Sequence, residues 1–237
     1  MEHTNMTQHI SRRYNQELED IRNRVLAMGG LVEQQLLDAM TALEKLDGSL
    51  AEKVVERDHE VNAMEVAIDE ECNLVLARRQ PAASDLRLVV AVIKTITDLE
   101  RIGDEAERIA RMVGSMAEAD DANRLFTQIH SLGQHVRRML RGALDAFARL
   151  DTEKAVDVWS EDRAVDREYE SLMRELMTYM MEDPRSIPSI FKAIFAARAI
   201  ERIGDRSSNI CEYVLYLVHG KDVRHTRLDQ QKIEDQD

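Results

Sequence analysis

The sequence predicts an all-α protein, a tandem repeat of two antiparallel three-helix bundles. Three observations carry this expectation. Apolar residues recur in steps of three and four along most of the chain; only 9 Gly and 3 Pro interrupt its 237 residues; and a stretch of the first half returns in the second, 104 positions on. Sandwiches and barrels need a turn every ~8–12 residues, so the scarcity of breakers and the 4% aromatic content argue against them. A composition of 44% apolar and 32% charged residues suits long amphipathic helices.

The first seam runs Ile10, Tyr14, Leu18, Ile21, Val25, Met28, Val32, Leu36, Ala39, Leu43 and Leu46, the spacing of one helical face. Asp47-Gly48-Ser49 is expected to break it, with Asp or Ser capping the second helix. A second seam, Leu50, Val54, Asp58, Val61, Glu65, Ile68, Cys72 and Val75, ends before Pro81. Ser84 or Asp85 is expected to cap a third helix carrying Leu86, Val89, Ile93, Ile96, Glu100 and Gly103, with Ile102, Ala106, Ile109 and Val113 as a further stripe. The acidic stretch Glu118–Asp121 reads as a linker.

The second half keeps the same plan. Gly29, Val32, Leu36, Ala39, Ala42, Leu46, Asp47, Ala51, Val54, Asp58 and Val61 meet identical residues at Gly133 through Val165, and these identities keep the helical spacing. Toward the third helix the offset drops to 101, where Glu100-Arg101-Ile102-Gly103-Asp104 returns as Glu201-Arg202-Ile203-Gly204-Asp205. A shorter turn near Pro184 accounts for the difference. The expected units are residues 7–116, 122–219 and a solvated tail, 220–237, without an apolar stripe.

The formal net charge of −13 disfavours a nucleic acid or an anionic membrane surface as partner for the whole molecule. Met1–Ile10 carries no signal-peptide core, and no run approaches the ~18 apolar residues of a membrane span. A cytoplasmic protein without membrane insertion is expected. Cys72 and Cys211 sit in apolar stripes and read as small buried hydrophobes rather than a disulfide or zinc motif. The 12 methionines read as core filler, with an adaptable partner surface as the alternative.

Carboxylates on faces that should be apolar are the informative residues. Asp58 lies between Val54 and Val61, and Asp162 between Val158 and Val165; four residues on stand Asn62 and Asp166. The third helix of each half carries Glu100 and Asp104, or Glu201 and Asp205, again four apart and on one face. The pairs 58/104 and 62/100 both centre on Pro81, and 162/205 and 166/201 both centre between Asp183 and Pro184. Antiparallel hairpins turning there bring four oxygen-bearing side chains to one height in each bundle.

Buried like charges need a neutraliser. A divalent cation is the natural one, and oxygen-only donors favour Mg, Mn, Ca or Fe over Zn. The competing reading makes these acids solvated flank residues paired with Arg101 and Arg202; their duplication in register favours metal. Gly103 and Gly204, each costing ~1 kcal/mol in mid-helix, point to close helix approach or access to the acids. Glu56-Arg57-Asp58-His59 matches the Glu-x-x-His of di-iron bundles, which use it on two helices, but its counterpart at 160–163 reads Ser-Glu-Asp-Arg. The motif therefore reads as accidental. A carboxylate-bridged di-metal enzyme stays as the alternative function. No nucleophile–base constellation, Gly-rich phosphate loop or nucleophile elbow is present, and no catalytic residue is assigned.

Leu99–Asp104, Ile200–Asp205, Arg79-Gln80-Pro81-Ala82-Ala83-Ser84-Asp85-Leu86-Arg87 and Tyr179-Met180-Met181-Glu182-Asp183 together resemble the PhoU family over nearly the whole chain. The resemblance implies a regulator without catalytic turnover. It would couple a phosphate ABC transporter, through the ATPase subunit, to a sensor histidine kinase, and hold the phosphate-starvation response off when phosphate is plentiful. The implied metal motif is an acidic residue, three others, then Asp. It carries over to Glu100 and Asp104, Glu201 and Asp205, and Asp162 and Asp166; the fourth copy, at Asp58, departs from it with Asn62 in place of Asp. Relatives have been seen with iron clusters or with other divalent ions, so the resemblance leaves Mg, Mn and Fe open. Six long amphipathic helices also leave apolar surface for a homodimer or a helical partner.

Overall fold

The computed structural model describes residues 2–116 and 123–221, with side chains over 13–113 and 128–221. The linker expected at Glu118–Asp121, the side chains of Met1–Ile10 and the tail past 221 lie outside the described residues. Among the described residues there are six α-helices and no strand: α1 (Glu2–Lys45), α2 (Gly48–Arg79), α3 (Ala83–Met116), α4 (Asn123–Arg149), α5 (Thr152–Glu182) and α6 (Ile187–His219), with a 3₁₀ turn at Pro184–Ser186 before α6.

The α1–α2 and α4–α5 turns are copies of one another. Asp47 takes an extended conformation and its carboxylate accepts from the Leu50 N–H at 3.0 Å; Asp151 does the same for Lys154, also at 3.0 Å. The left-handed residue is Leu46 (φ 52°) in one turn and Leu150 (φ 54°) in the other, while Gly48, placed in the expected break, is already helical. A non-glycine residue there costs roughly 1–2 kcal/mol. Leu46 offsets this by packing against the core.

The α2–α3 turn pivots at Gln80 (φ 49°) and Pro81. Because α3 begins at Ala83, Ser84 and Asp85 fall inside its first turn rather than capping it. Asp85 there still favours the positive helix end. In the second half, the Asp183 carboxylate accepts from Arg185 N–H at 3.0 Å, and proline at the start of α6 requires no backbone donor. Gly220, at φ 73°, closes α6.

Helices α1, α2 and α3 pack mutually, as do α4 and α6 with α5. The halves then join through α3 against α6 and α1 against α4. The buried apolar side chains form one continuous cluster across both halves. Part of the apolar stripe expected to serve outside partners is thus covered by the other half.

Met28, Met40 and Met139 are buried, in line with core filling, whereas Met181 is 77% exposed. Leu86, expected in the third seam, is 41% exposed because it stands in the first turn of α3, at the bundle end. Cys72 and Cys211 are free and buried; burial pushes both thiols up to about 12, which leaves them inert.

Candidate metal centre

In the first bundle Asp58 projects from α2 between the buried Val54 and Val61 and is only 5% exposed. Its burial is compensated by two amides. Gln35 of α1 donates from Nε2 to Asp58 Oδ1 at 3.1 Å, and Asn62, one turn on, donates from Nδ2 to Asp58 Oδ2 at 3.0 Å. Helix α3 approaches at Gly103, where a Cβ would lie 3.2 Å from Asp58 Oδ1 and 3.4 Å from Gln35 Oε1. Asp58 therefore meets α3 beside Asp104, the level expected from the hairpin register.

Glu100 and Asp104 are half-buried. Burial raises the carboxyl of each above the ordinary range; Asp104 adds to the rise at Glu100, and Asp58 to the rise at Asp104. Glu65 behaves alike, raised by burial and then by Asp69.

The second bundle converges more tightly. Asp166 of α5 and Glu201 and Asp205 of α6 each offer a carboxylate oxygen, and these three oxygens all lie within 4.8 Å of one another. This is the one such trio of acids, histidines or cysteines among the described residues. Asp162, one turn back on α5, stands outside that trio but feels it: burial, then Asp205 and Asp166, push its carboxyl up to about 6. Burial, then Asp205, push Glu201 up to about 7 against the opposing pull of Arg198. Asp205 is raised by burial and by Asp166.

Arg198 donates to Glu201 Oε1 at 2.5 Å and lies over the Tyr169 ring at 5.9 Å. The other oxygen, Glu201 Oε2, is buried without a hydrogen-bond partner. Gly204 faces Val165 of α5 and Val136 of α4, but a Cβ there would rest at ordinary contact, 3.4 and 3.5 Å, so the close helix approach expected at both glycines is required at Gly103 and not at Gly204.

The arginine pairings of the competing flank reading are not the ones formed. Arg202 turns from its own quartet to Glu105 in the first bundle. Arg101 is exposed. Glu56 and His59 are exposed too, and Arg57 between them pairs with Asp38, so the Glu-x-x-His sequence builds no ligand pair inside the bundle. Three participants escaped the sequence reading: Gln35, Arg198 and Glu105. Gln35 had a signal, a polar residue between Val32 and Ala39 of the seam whose counterpart 104 positions on is Met139.

The second quartet fits a divalent cation. Its donors are all carboxylate oxygens, the class that Mg, Mn and Fe(II) accept. Asp205 and Asp166 raise the Asp162 carboxyl, Asp205 raises that of Glu201 and Asp166 that of Asp205, and the buried Glu201 Oε2 has no hydrogen-bond donor. A buried acceptor left bare costs roughly 1–3 kcal/mol, more when charged.

The PhoU domain family matches the chain twice, over residues 25–113 and 129–214. The phosphate-specific transport system accessory protein PhoU of Serratia marcescens is 55% identical over 225 residues, covering 95% of this chain and 92% of that protein. The protein of that name from Escherichia coli (strain K12) is 53% identical over 230 residues, covering 97% and 95%. Among solved structures, PhoU from Pseudomonas aeruginosa superposes with a TM-score of 0.85 at 51% identity, covering 88% of this chain and all of that one. The phosphate transport system regulatory protein PhoU from Streptococcus pneumoniae gives 0.82 at 32% identity, over 89% and 99%.

Proposed function

The chain belongs to the PhoU family, an accessory component of phosphate transport, and from that premise we propose that it is a non-catalytic negative regulator of the phosphate-starvation response and of phosphate uptake. It acts in the cytoplasm as an adaptor between the ATPase subunit of a phosphate ABC transporter and a sensor histidine kinase, and it self-associates as a homodimer. The observation that supports this reading most is the likeness over most of the chain, in which both halves match the PhoU domain and relatives named as transport accessory proteins align over more than nine-tenths of each sequence. Among the described residues no helix is long and apolar enough to cross a membrane, in keeping with recruitment through other proteins.

The same proposal includes a divalent cation. Asp162, Asp166, Glu201 and Asp205 would hold it, and its charge would neutralise acids that otherwise repel across the α5–α6 interface. Holding that interface together keeps the partner-facing surfaces of the second bundle in fixed relation. Deleting the gene should leave phosphate-starvation genes switched on in high phosphate, and restoring it should silence them. Normal regulation in the deletion strain, with neither partner co-purifying at low salt, would overturn the proposal.

A further inference from the structure

The two acid quartets come from one repeated unit, yet their surroundings differ in a way that decides what each can hold. In the first bundle Asp58 already has a hydrogen bond on each oxygen, from Gln35 Nε2 and from Asn62 Nδ2. The orientation of Gln35 is fixed by its neighbours. Its Nε2 faces three acceptors, Asp58 Oδ1 at 3.1 Å, Val54 O at 3.4 Å and Gly103 O at 3.5 Å, so the amide hydrogens must point into the centre. The carbonyl oxygens of both amides, Gln35 Oε1 and Asn62 Oδ1, are left without a partner, which is the cost of turning the donors toward Asp58. Both groups are peculiar to this half: the matching positions of the second carry Met139 and Asp166.

We propose that the Gln35 and Asn62 amides take the place of an ion in the first bundle, so that the chain holds a single divalent cation, in the second bundle alone. The proposal rests on the metal reading of the second quartet and deepens it. Amide N–H groups already occupy both Asp58 oxygens, Oδ1 being the one nearest Gly103, so a cation there competes with two hydrogen bonds and meets neutral Asn62 where the second bundle offers a carboxylate. Asn62 also removes one of the four charges that draw a cation into the second quartet. The remaining acids, Glu100 and Asp104, do not converge with a third acid as Asp166, Glu201 and Asp205 do. The first centre is then an ion-independent polar strut tying α1, α2 and α3 together, and the second is the ion-responsive one.

The test is the number of Mn(II) ions bound per chain, by equilibrium dialysis of the metal-stripped full-length protein with elemental analysis. One ion is expected, lost in Glu201→Gln and kept in Asp104→Asn. Two ions in the unaltered chain would overturn this inference while leaving the metal reading standing; none would remove both. A single ion kept in Glu201→Gln and lost in Asp104→Asn would place it in the wrong bundle. The double variant Gln35→Met, Asn62→Asp installs the second bundle's residues in the first and should raise the count from one to two. Its folding is checked by circular dichroism, and an unchanged count in a folded double variant overturns the assignment of the block to these amides.

Discussion

Arg202 of the second bundle donates from Nη1 to Glu105 Oε1 of the first at 3.0 Å, so the residue after Glu201 is tied to the residue after Asp104. A second tie runs parallel to it: Arg206 donates to Asp98 Oδ1 at 3.2 Å, and Tyr213 donates its hydroxyl to Asp98 Oδ2 at 2.7 Å. Both cross the α3–α6 contact that joins the halves.

The two ties should differ in strength. The Arg202 side chain is 46% exposed, and Glu105 keeps Arg108 when Arg202 is removed. Arg202→Ala should therefore cost under about 1 kcal/mol. The Asp98 side chain is only 4% exposed, and Arg206→Ala leaves it buried with Tyr213 alone. That loss should cost about 2 kcal/mol. Urea unfolding of both variants gives the comparison, and equal losses would contradict it.

Metal-free stability should fall as pH rises from about 4 to 7. Glu201 goes from its ordinary 4.5 to about 7 and Asp162 from 3.8 to about 6 on folding, so the native state holds more protons than the unfolded one across this window. Stability then declines with pH until the folded values are passed. For Glu201 the effect is at most on the order of 3 kcal/mol. Melting temperature against pH checks the sign, and Glu201→Gln should flatten the curve.

Divalent cation at pH 8 should raise the melting temperature, because it binds the folded quartet and not the unfolded chain. Asp205→Asn should shrink that gain with helix content unchanged. No shift with Mg, Mn or Fe(II) at millimolar level would return these acids to ordinary flank residues.

The two mid-helix glycines should respond differently to alanine. Either replacement gains up to ~1 kcal/mol of helix propensity. At Gly204 the added Cβ rests at ordinary contact, 3.4 Å from Val165 and 3.5 Å from Val136, so Gly204→Ala should be neutral to stabilising. At Gly103 it lies 3.2 Å from Asp58 Oδ1 and 3.3 Å from Val61 Cγ1, and the two-amide clamp on Asp58 has little room to yield. Gly103→Ala should be the less stable of the pair by about 1 kcal/mol or more. Thermal melts of both variants decide it.

The helices, the Asp47 and Asp151 caps and the register of Asp58 against the Gly103–Asp104 step were legible because each is local or comes from counting along a hairpin. The partners of the acids were not. Arg202 reaches Glu105 rather than Glu201, since the direction of a long side chain depends on which helix of the other half lies beside it. Gln35 looked like one polar residue in a seam, and its contact with Asp58 depends on how α1 is rotated against α2. The same limit applies to α3, whose two apolar stripes gave no sign that one belongs to α6.

Asp58 clamped by amides and Glu201 left with a bare oxygen sit in two versions of one fold, and their difference depends on covalent linkage. Were the bundles separate copies of one chain, an isologous pairing would repeat every substitution on both sides. Gln35 could not appear without displacing Met139, and both centres would be ion sites or neither would. Joined in one polypeptide, the halves can diverge while remaining packed at an effective concentration that dilution does not lower. Symmetry is kept in the backbone and broken in the side chains, which lets one half serve as a fixed frame against which the other responds.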